Sequence, residues 1–250
     1  MLAARVAAGI AAARHGTVQL VAPGVVVGAF RAEAGRLSEM VSGEDAAGFT
    51  RASPCPPWTV GELLYHVRLA VGRVPDMLAG PEPADGPLVS APGYYRPGRR
   101  FSSAANTERI AAARKGAAAA AAGTAIAREV EQAWRESWAL TRAAPQARAV
   151  RTRHGDRMLL TEFLRTRVLE LAVHGLDLAA GLGRQRWMTA AAARVLAGLL
   201  LPAGTTAQML LGETGWDQIT LIARATRRIP LTAAETTLIE RHGIRRLALG

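Results

Sequence analysis

Residues Thr161 to Gly183 read TEFLRTRVLELAVHGLDLAAGLG. The spacing predicts a helix over 161–180, stopped by Gly181 and Gly183. Phe163, Leu164, Val168, Leu169, Leu171, Ala172, Val173, Leu176 and Leu178 make it apolar on almost every side. A helix of that kind is expected to be buried. Arg167, Glu170, His174 and Asp177 break the pattern. At 3.6 residues per turn they fall within an arc of roughly 80°. Charged groups inside a buried helix are costly unless they pair with each other or hold a metal, so this stripe is where chemistry is expected.

Glu170 and His174 stand one turn apart on one face, a spacing that can chelate one ion. Catalytic zinc takes three protein ligands and leaves a position open, so a third ligand must come from elsewhere. Of the five histidines, His15 lies in the leader, His154 in a turn and His242 in a C-terminal helix. Only His66 sits on an apolar helix able to pack against the central one. His66, Glu170 and His174 are the candidate ligands. A metal-free alternative stands beside this: Glu170 pairs with Arg167, and His174 bonds Asp177, in a buried polar seam. Arg167 is then either a structural partner or a catalytic group for an acidic substrate. Asp177 is expected to orient His174 or to cap a neighbouring segment.

The rest of the chain supplies elements for that helix to pack against. VVVGAFRAEAGRLSEMVS (25–42) predicts a helix whose polar face carries Arg31, Glu33, Arg36 and Glu39, ended by Gly43. A loop runs to Pro57. Thr59 and Glu62 then fit a capping box for a helix from Val60 to about Pro75. Trp58 reads as a core residue. The Pro- and Gly-rich loop 80–100 is long for a bundle connection, and long loops are often functional. Its Tyr94, Tyr95 and Arg96 are candidates for covering a pocket and contacting a cofactor. Residues 103–142 are helical in composition, as one helix or two, with Gly116 and Gly123 weakening or breaking it. Residues 149–160 read as a short hairpin or turn. Further helices are expected at 189–201, 215–228 and 232–243. The organisation is a flexible extension 1–24, a four-helix bundle 25–183 and a helical C-terminal appendage 184–250.

Composition narrows the function classes. Half the residues are hydrophobic and 20% charged, which is globular. The formal net charge of +11 comes almost wholly from arginine, Lys115 being the only lysine. The arginines are dispersed rather than gathered into a stripe with interleaved aromatics, so nucleic acid is not the expected partner. The apolar stretch before Phe30 is broken by Pro23-Gly24 and is too short to span a bilayer. No membrane partner is expected. The single cysteine, Cys55, forbids an internal disulfide and fits a reducing cytoplasm. It is expected to be inert, although it precedes the His66 helix closely enough to approach the pocket.

PPWTVGELLYH (56–66) and RTRVLELAVHGLDLAAGLG (165–183) together resemble the DinB/YfiT-like metalloenzyme superfamily. Within it the chain is most similar to the mycothiol-dependent maleylpyruvate isomerase family. That family carries a Trp-Thr-Val motif leading to a histidine, then Glu-x-x-x-His-x-x-Asp-Leu. The resemblance implies an all-α, up-up-down-down four-helix bundle. It also implies a divalent metal, Zn²⁺ or another such as Ni²⁺, on His66, Glu170 and His174, with the low-molecular-weight thiol mycothiol as cofactor. In such an enzyme the metal lowers the thiol pKa; the thiolate adds to an activated carbon, and either bond rotation and elimination follow or the sulfur stays attached. A functional arginine in the C-terminal part is implied too, with Arg224 the candidate here. The short helical tail departs from the family, whose isomerases carry a larger α/β domain, so the resemblance does not extend to maleylpyruvate as the substrate.

Three functions are compatible with the sequence. The first is a metal- and thiol-dependent isomerase or S-transferase acting on a small acidic or electrophilic metabolite, as monomer or homodimer. The second is a hydrolase or lyase that uses metal-bound water. The third is a non-catalytic metal- or ligand-binding bundle. Loop 80–100 discriminates in part: tyrosines turned inward over the metal ligands favour a substrate pocket.

Overall fold

The computed structural model describes residues 21–247 apart from 97, 121–122, 146 and 203–204. The extension expected over 1–24 therefore falls largely outside the described residues. Chain order is α1 (Pro23–Ser42), α2 (Ala46–Thr50), α3 (Val60–Val71), α4 (Arg73–Ala79), α5 (Ala91–Tyr94), α6 (Ser103–Ala119) and α7 (Gly123–Ala143). A hairpin of β1 (Ala149–Arg151) and β2 (Arg157–Leu159) follows. Then come α8 (Leu160–Gly181), α9 (Ala190–Leu200), α10 (Ala207–Thr214), α11 (Gln218–Ala225) and α12 (Ala233–Arg241). The fold is all-α, built on a four-helix bundle, with β1 and β2 its only strands among the described residues. α1 packs on α7 and α8, and α3 packs on the same two helices from the opposite corner.

The local signals explain most of these boundaries. Pro23 occupies the first turn of α1, where its missing N–H costs nothing. At α3 the Thr59 hydroxyl accepts from Glu62 N, and the Glu62 carboxylate accepts from Thr59 N at 2.9 Å. That reciprocal cap fixes where the His66 helix starts. The 103–142 stretch is two helices. Gly116 does not break α6, which continues to Ala119; a Cβ there would run into the Tyr65 ring, so glycine permits close packing on α3. At Gly123, where α7 begins, a Cβ would meet Phe49. α2, α5 and α10 were not legible in the sequence. All three are short, and their N-caps Asp45, Ser90 and Thr206 each accept one backbone N–H.

α8 is buried along nearly its whole length, as its composition requires. It carries a second polar line besides the stripe. Glu162 and Arg165 are both buried, with Arg165 Nη1 donating to Glu162 Oε1 at 2.8 Å. Glu162 Oε2 accepts from Ala91 N at 2.7 Å. This pair ties the start of α5, and with it loop 80–100, to α8.

Glu33 corrects the expected polar face of α1. It is fully buried, because α9 lies across α1 and α8 and brings its N-terminus to this point. Thr189 donates to Glu33 Oε2 through its N–H at 2.9 Å and its hydroxyl at 2.6 Å. Burial, only partly offset by these bonds and by Arg36, pushes the Glu33 carboxyl up to about 7. Val195, Leu196, Leu199 and Leu200 of α9 belong to the same core as the bundle. Among the described residues no helix is long and apolar enough to cross a membrane.

Candidate metal centre

The capping box at Thr59 starts α3 so that His66 faces α8, where Glu170 and His174 stand one turn apart. Glu170 Oε2 lies 3.6 Å from His66 Nε2 and 3.3 Å from His174 Nε2. One potential ligand atom from each of the three residues falls within 4.8 Å of the others. The two imidazoles meet edge to face with centroids 5.2 Å apart. Trp58 is buried and stacks on His66 at 4.8 Å, 23° from parallel, which fixes that ring's plane.

Each ligand candidate is held by a further partner. His174 Nδ1 donates to Asp177 Oδ2 at 3.0 Å, which leaves Nε2 turned toward Glu170. Asp177 is 2% exposed and accepts from Arg228 as well, from Nη2 at 3.0 Å on Oδ2 and from Nε at 3.1 Å on Oδ1. Cys55 Sγ donates to the same carboxylate at 3.1 Å. Cys55 thus supports Asp177 and does not line the cavity described below. On the other side, the Tyr95 hydroxyl lies 3.2 Å from Glu170 Oε1 and 3.1 Å from the Thr166 carbonyl. Arg167 is buried, with Nη2 3.7 Å from Glu170 Oε1, Nη1 donating to the Ala70 carbonyl, and its guanidinium over Phe163 at 4.7 Å.

The electrostatics suit a cation. Burial pushes His66 down to about 4, so its imidazole is neutral near pH 7, as a metal ligand must be. Burial opposes the charge on Glu170, but hydrogen bonds from His174 and His66 and the Arg167 charge outweigh it and hold the carboxyl well below its usual range. Burial likewise opposes a charge on His174, yet its bonds to Asp177, Cys55 and Glu170 raise it well above the ordinary histidine value. Without a cation His174 therefore keeps the proton that a metal would displace. Two nitrogens and an ionised carboxylate, with an Asp–His relay behind one of them, fit a divalent ion. The metal-free pairings weighed above, Arg167 with Glu170 and His174 with Asp177, are also present, and they orient the same donor set.

The three residues open onto a cavity of about 350 Å³. Tyr94 and Tyr95 are buried in its wall, with their rings edge to face at 5.3 Å. Loop 80–100 thus turns its tyrosines inward. Arg96, expected beside them, is exposed and outside the lining. Arg224 is also elsewhere. Its Nη1 donates to Glu235 Oε2 at 2.6 Å and to the Pro230 carbonyl at 2.9 Å, and it stacks over Trp216 at 4.8 Å. It locks α11 to α12 and does not reach the cavity. The C-terminal arginine that comes to the site is Arg228, four residues on. Arg227, with φ of 64°, ends α11 in a left-handed turn, and Arg228 follows it toward Asp177. Sequence reasoning also missed Arg73, Arg100, Arg109, Arg151 and Arg153, all in the cavity wall. No local pattern marks them, because they come from α4, α6, the hairpin and the segment before α6.

A sequence model of the mycothiol maleylpyruvate isomerase N-terminal domain family matches residues 30–179. The chain belongs to that family. The matched span takes in α3 and most of α8, and so all three ligand candidates. No protein of curated function matches the chain. Among solved structures it is similar to that of the mycothiol-dependent maleylpyruvate isomerase, at 20% identity and a TM-score of 0.48, over 71% of this chain and 68% of that one.

Proposed function

We propose that this family member is a metal-dependent isomerase or S-transferase that uses mycothiol on a small anionic electrophile. The observation that carries this reading is the convergence of His66, Glu170 and His174 at the wall of a cavity rich in arginine. Family membership supports the thiol and the isomerase chemistry. A divalent ion on these residues would supply the Lewis acidity that favours a thiolate at neutral pH.

The chain's own residues do the remaining work. Asp177 accepts from His174 Nδ1, so the proton that a metal would displace is the one on Nε2, facing Glu170. The Tyr95 hydroxyl holds Glu170 Oε1 and leaves Oε2 to the histidines. Arg167 stands beside Glu170 and lines the cavity, where it would meet an acidic group of the substrate. Tyr94, Tyr95 and Phe163 give the cavity an apolar wall that excludes water from the reacting carbon.

Elemental analysis tests the metal: near-stoichiometric divalent metal is expected, lost in His66→Ala and His174→Ala. Full occupancy in both variants would remove the ligand assignment. Thermal shift and mass spectrometry with mycothiol, glutathione and no thiol test the cofactor. Stabilisation by mycothiol alone is expected. Metal without any thiol response would leave the hydrolase or lyase alternative.

A further inference from the structure

The cavity wall holds more positive charge than the metal chemistry needs. Six arginines line it against two carboxylates, Asp76 and Glu170. Two of the six have a carboxylate partner, and Arg151 has only a backbone one. Arg167 neighbours Glu170 at 3.7 Å, Arg100 Nη2 donates to Asp156 at 2.6 Å, and Arg151 Nη1 donates to the Gly155 carbonyl. Arg73 from α4, Arg109 from α6 and Arg153 from the hairpin turn form no salt bridge among the described residues. Arg109 donates to the Asn106 side chain and to the Arg100 carbonyl, and Arg153 Nε to His154; these partners carry no formal negative charge.

Four guanidiniums without a carboxylate partner thus line one cavity, Arg73 and Arg109 half-buried and Arg151 and Arg153 exposed at its rim, and like charges that share a cavity repel. Their proximity registers in their acidities. Burial, and then the Arg153 charge, push Arg73 below its ordinary value against the opposing charge of Asp76; burial also lowers Arg109, opposed by Glu170 and assisted by Arg153. Arg109 is also close enough to Glu170 to be affected by it. It therefore stands between the candidate metal ligands and the hairpin tip.

We propose that Arg73, Arg109 and Arg153 form a subsite for a dianionic tetrahedral oxyanion, so that the substrate carries a phosphoryl or phosphonyl group. This rests on the reading of the cavity as the substrate site. A single carboxylate has two oxygens and one charge; it satisfies one guanidinium fork and leaves the others repelling each other. A phosphoryl group offers three oxygens and nearly two negative charges at neutral pH. That matches donors arriving from three sides, and it orients the substrate with its charged end at the hairpin and its reacting carbon toward His66, Glu170 and His174.

The test uses the full-length protein with inorganic phosphate as the probe. Binding is followed by calorimetry at constant ionic strength, in metal-loaded and chelator-treated samples. Acetate and maleate are the comparison anions. Phosphate is expected to bind in both samples and more tightly than either carboxylate. Arg109→Gln and Arg153→Gln are each expected to weaken it about tenfold or more. Arg153→Gln should also leave the melting temperature without phosphate equal to or above wild type, since it relieves repulsion; a purely structural arginine would lower it. Phosphate binding that disappears on chelation, that survives both substitutions, or that maleate equals through the same arginines overturns the proposal. Metal content is measured on the same samples, so loss of the metal reading and loss of the phosphate reading are separate results.

Discussion

Asp177→Asn isolates the part of the site that makes His174 a candidate ligand. In the wild type one carboxylate collects His174 Nδ1 at 3.0 Å, Arg228 Nη2 at 3.0 Å and Cys55 Sγ at 3.1 Å. Asparagine keeps the shape and loses the charge. It also gains an NH2 that can face His174 and favour the tautomer with the proton on Nε2, the nitrogen directed at Glu170. Replacing the partner behind a ligating histidine costs about 10–100-fold in metal affinity, or about 1.4–2.7 kcal/mol. Stability should fall as well, by about 1.5–3 kcal/mol, as Arg228 loses a charged acceptor. The assay is competition for Zn²⁺ and for Ni²⁺ against a chromophoric chelator, with melting temperatures taken on the metal-free proteins. Cys55→Ser touches the same carboxylate from another side and should bind metal within about twofold of wild type, well inside the 1.4 kcal/mol that marks a tenfold change. A folded Asp177→Asn protein with unchanged affinity for both ions would refute the relay, and with it the account of why His174 Nε2 points where it does.

Glu33 gives a pH prediction independent of the metal. Its folded-state value of about 7 lies above its ordinary 4.5. Glu33 therefore contributes its full stability below about 4.5 and loses it as pH rises through 7. The gap corresponds to on the order of 3 kcal/mol. Chemical denaturation of Glu33→Gln from pH 4.5 to 8 should show a flatter profile than wild type; the same slope in both would show that Glu33 is not the titrating group. Glu162→Ala should destabilise by about 3–5 kcal/mol, because it strands the buried Arg165. The bond to Ala91 N goes too, so limited proteolysis should cut loop 80–100 faster, and an unchanged cleavage rate would argue against Glu162 as its anchor.

Much of the fold and part of the site were readable because they are local. The Thr59–Glu62 cap, the apolar circumference of α8 and the Glu170–His174 spacing depend on residues within a turn or two of each other, and the physics of one helix decides them. His66 could be selected because few histidines stand on apolar helices. Glu33 could not be read from its helix. Its spacing belongs to a polar face, and only the arrival of α9 buries it. Arg224 failed for the same reason: its nearest carboxylate is Glu235 on the next helix.

The arginines mark the boundary most sharply. Along the chain they are scattered, and by composition they look like general surface charge. A charge acts through space over distances of about ten ångströms, whereas Arg73 and Arg153 are separated in sequence by most of the bundle. Sequence by itself settled which helices are buried and which side chains on α8 can share an ion. Only the tertiary structure, by bringing α4, α6 and the hairpin tip around one cavity, decided that scattered cations form a single concentrated field beside His66, Glu170 and His174.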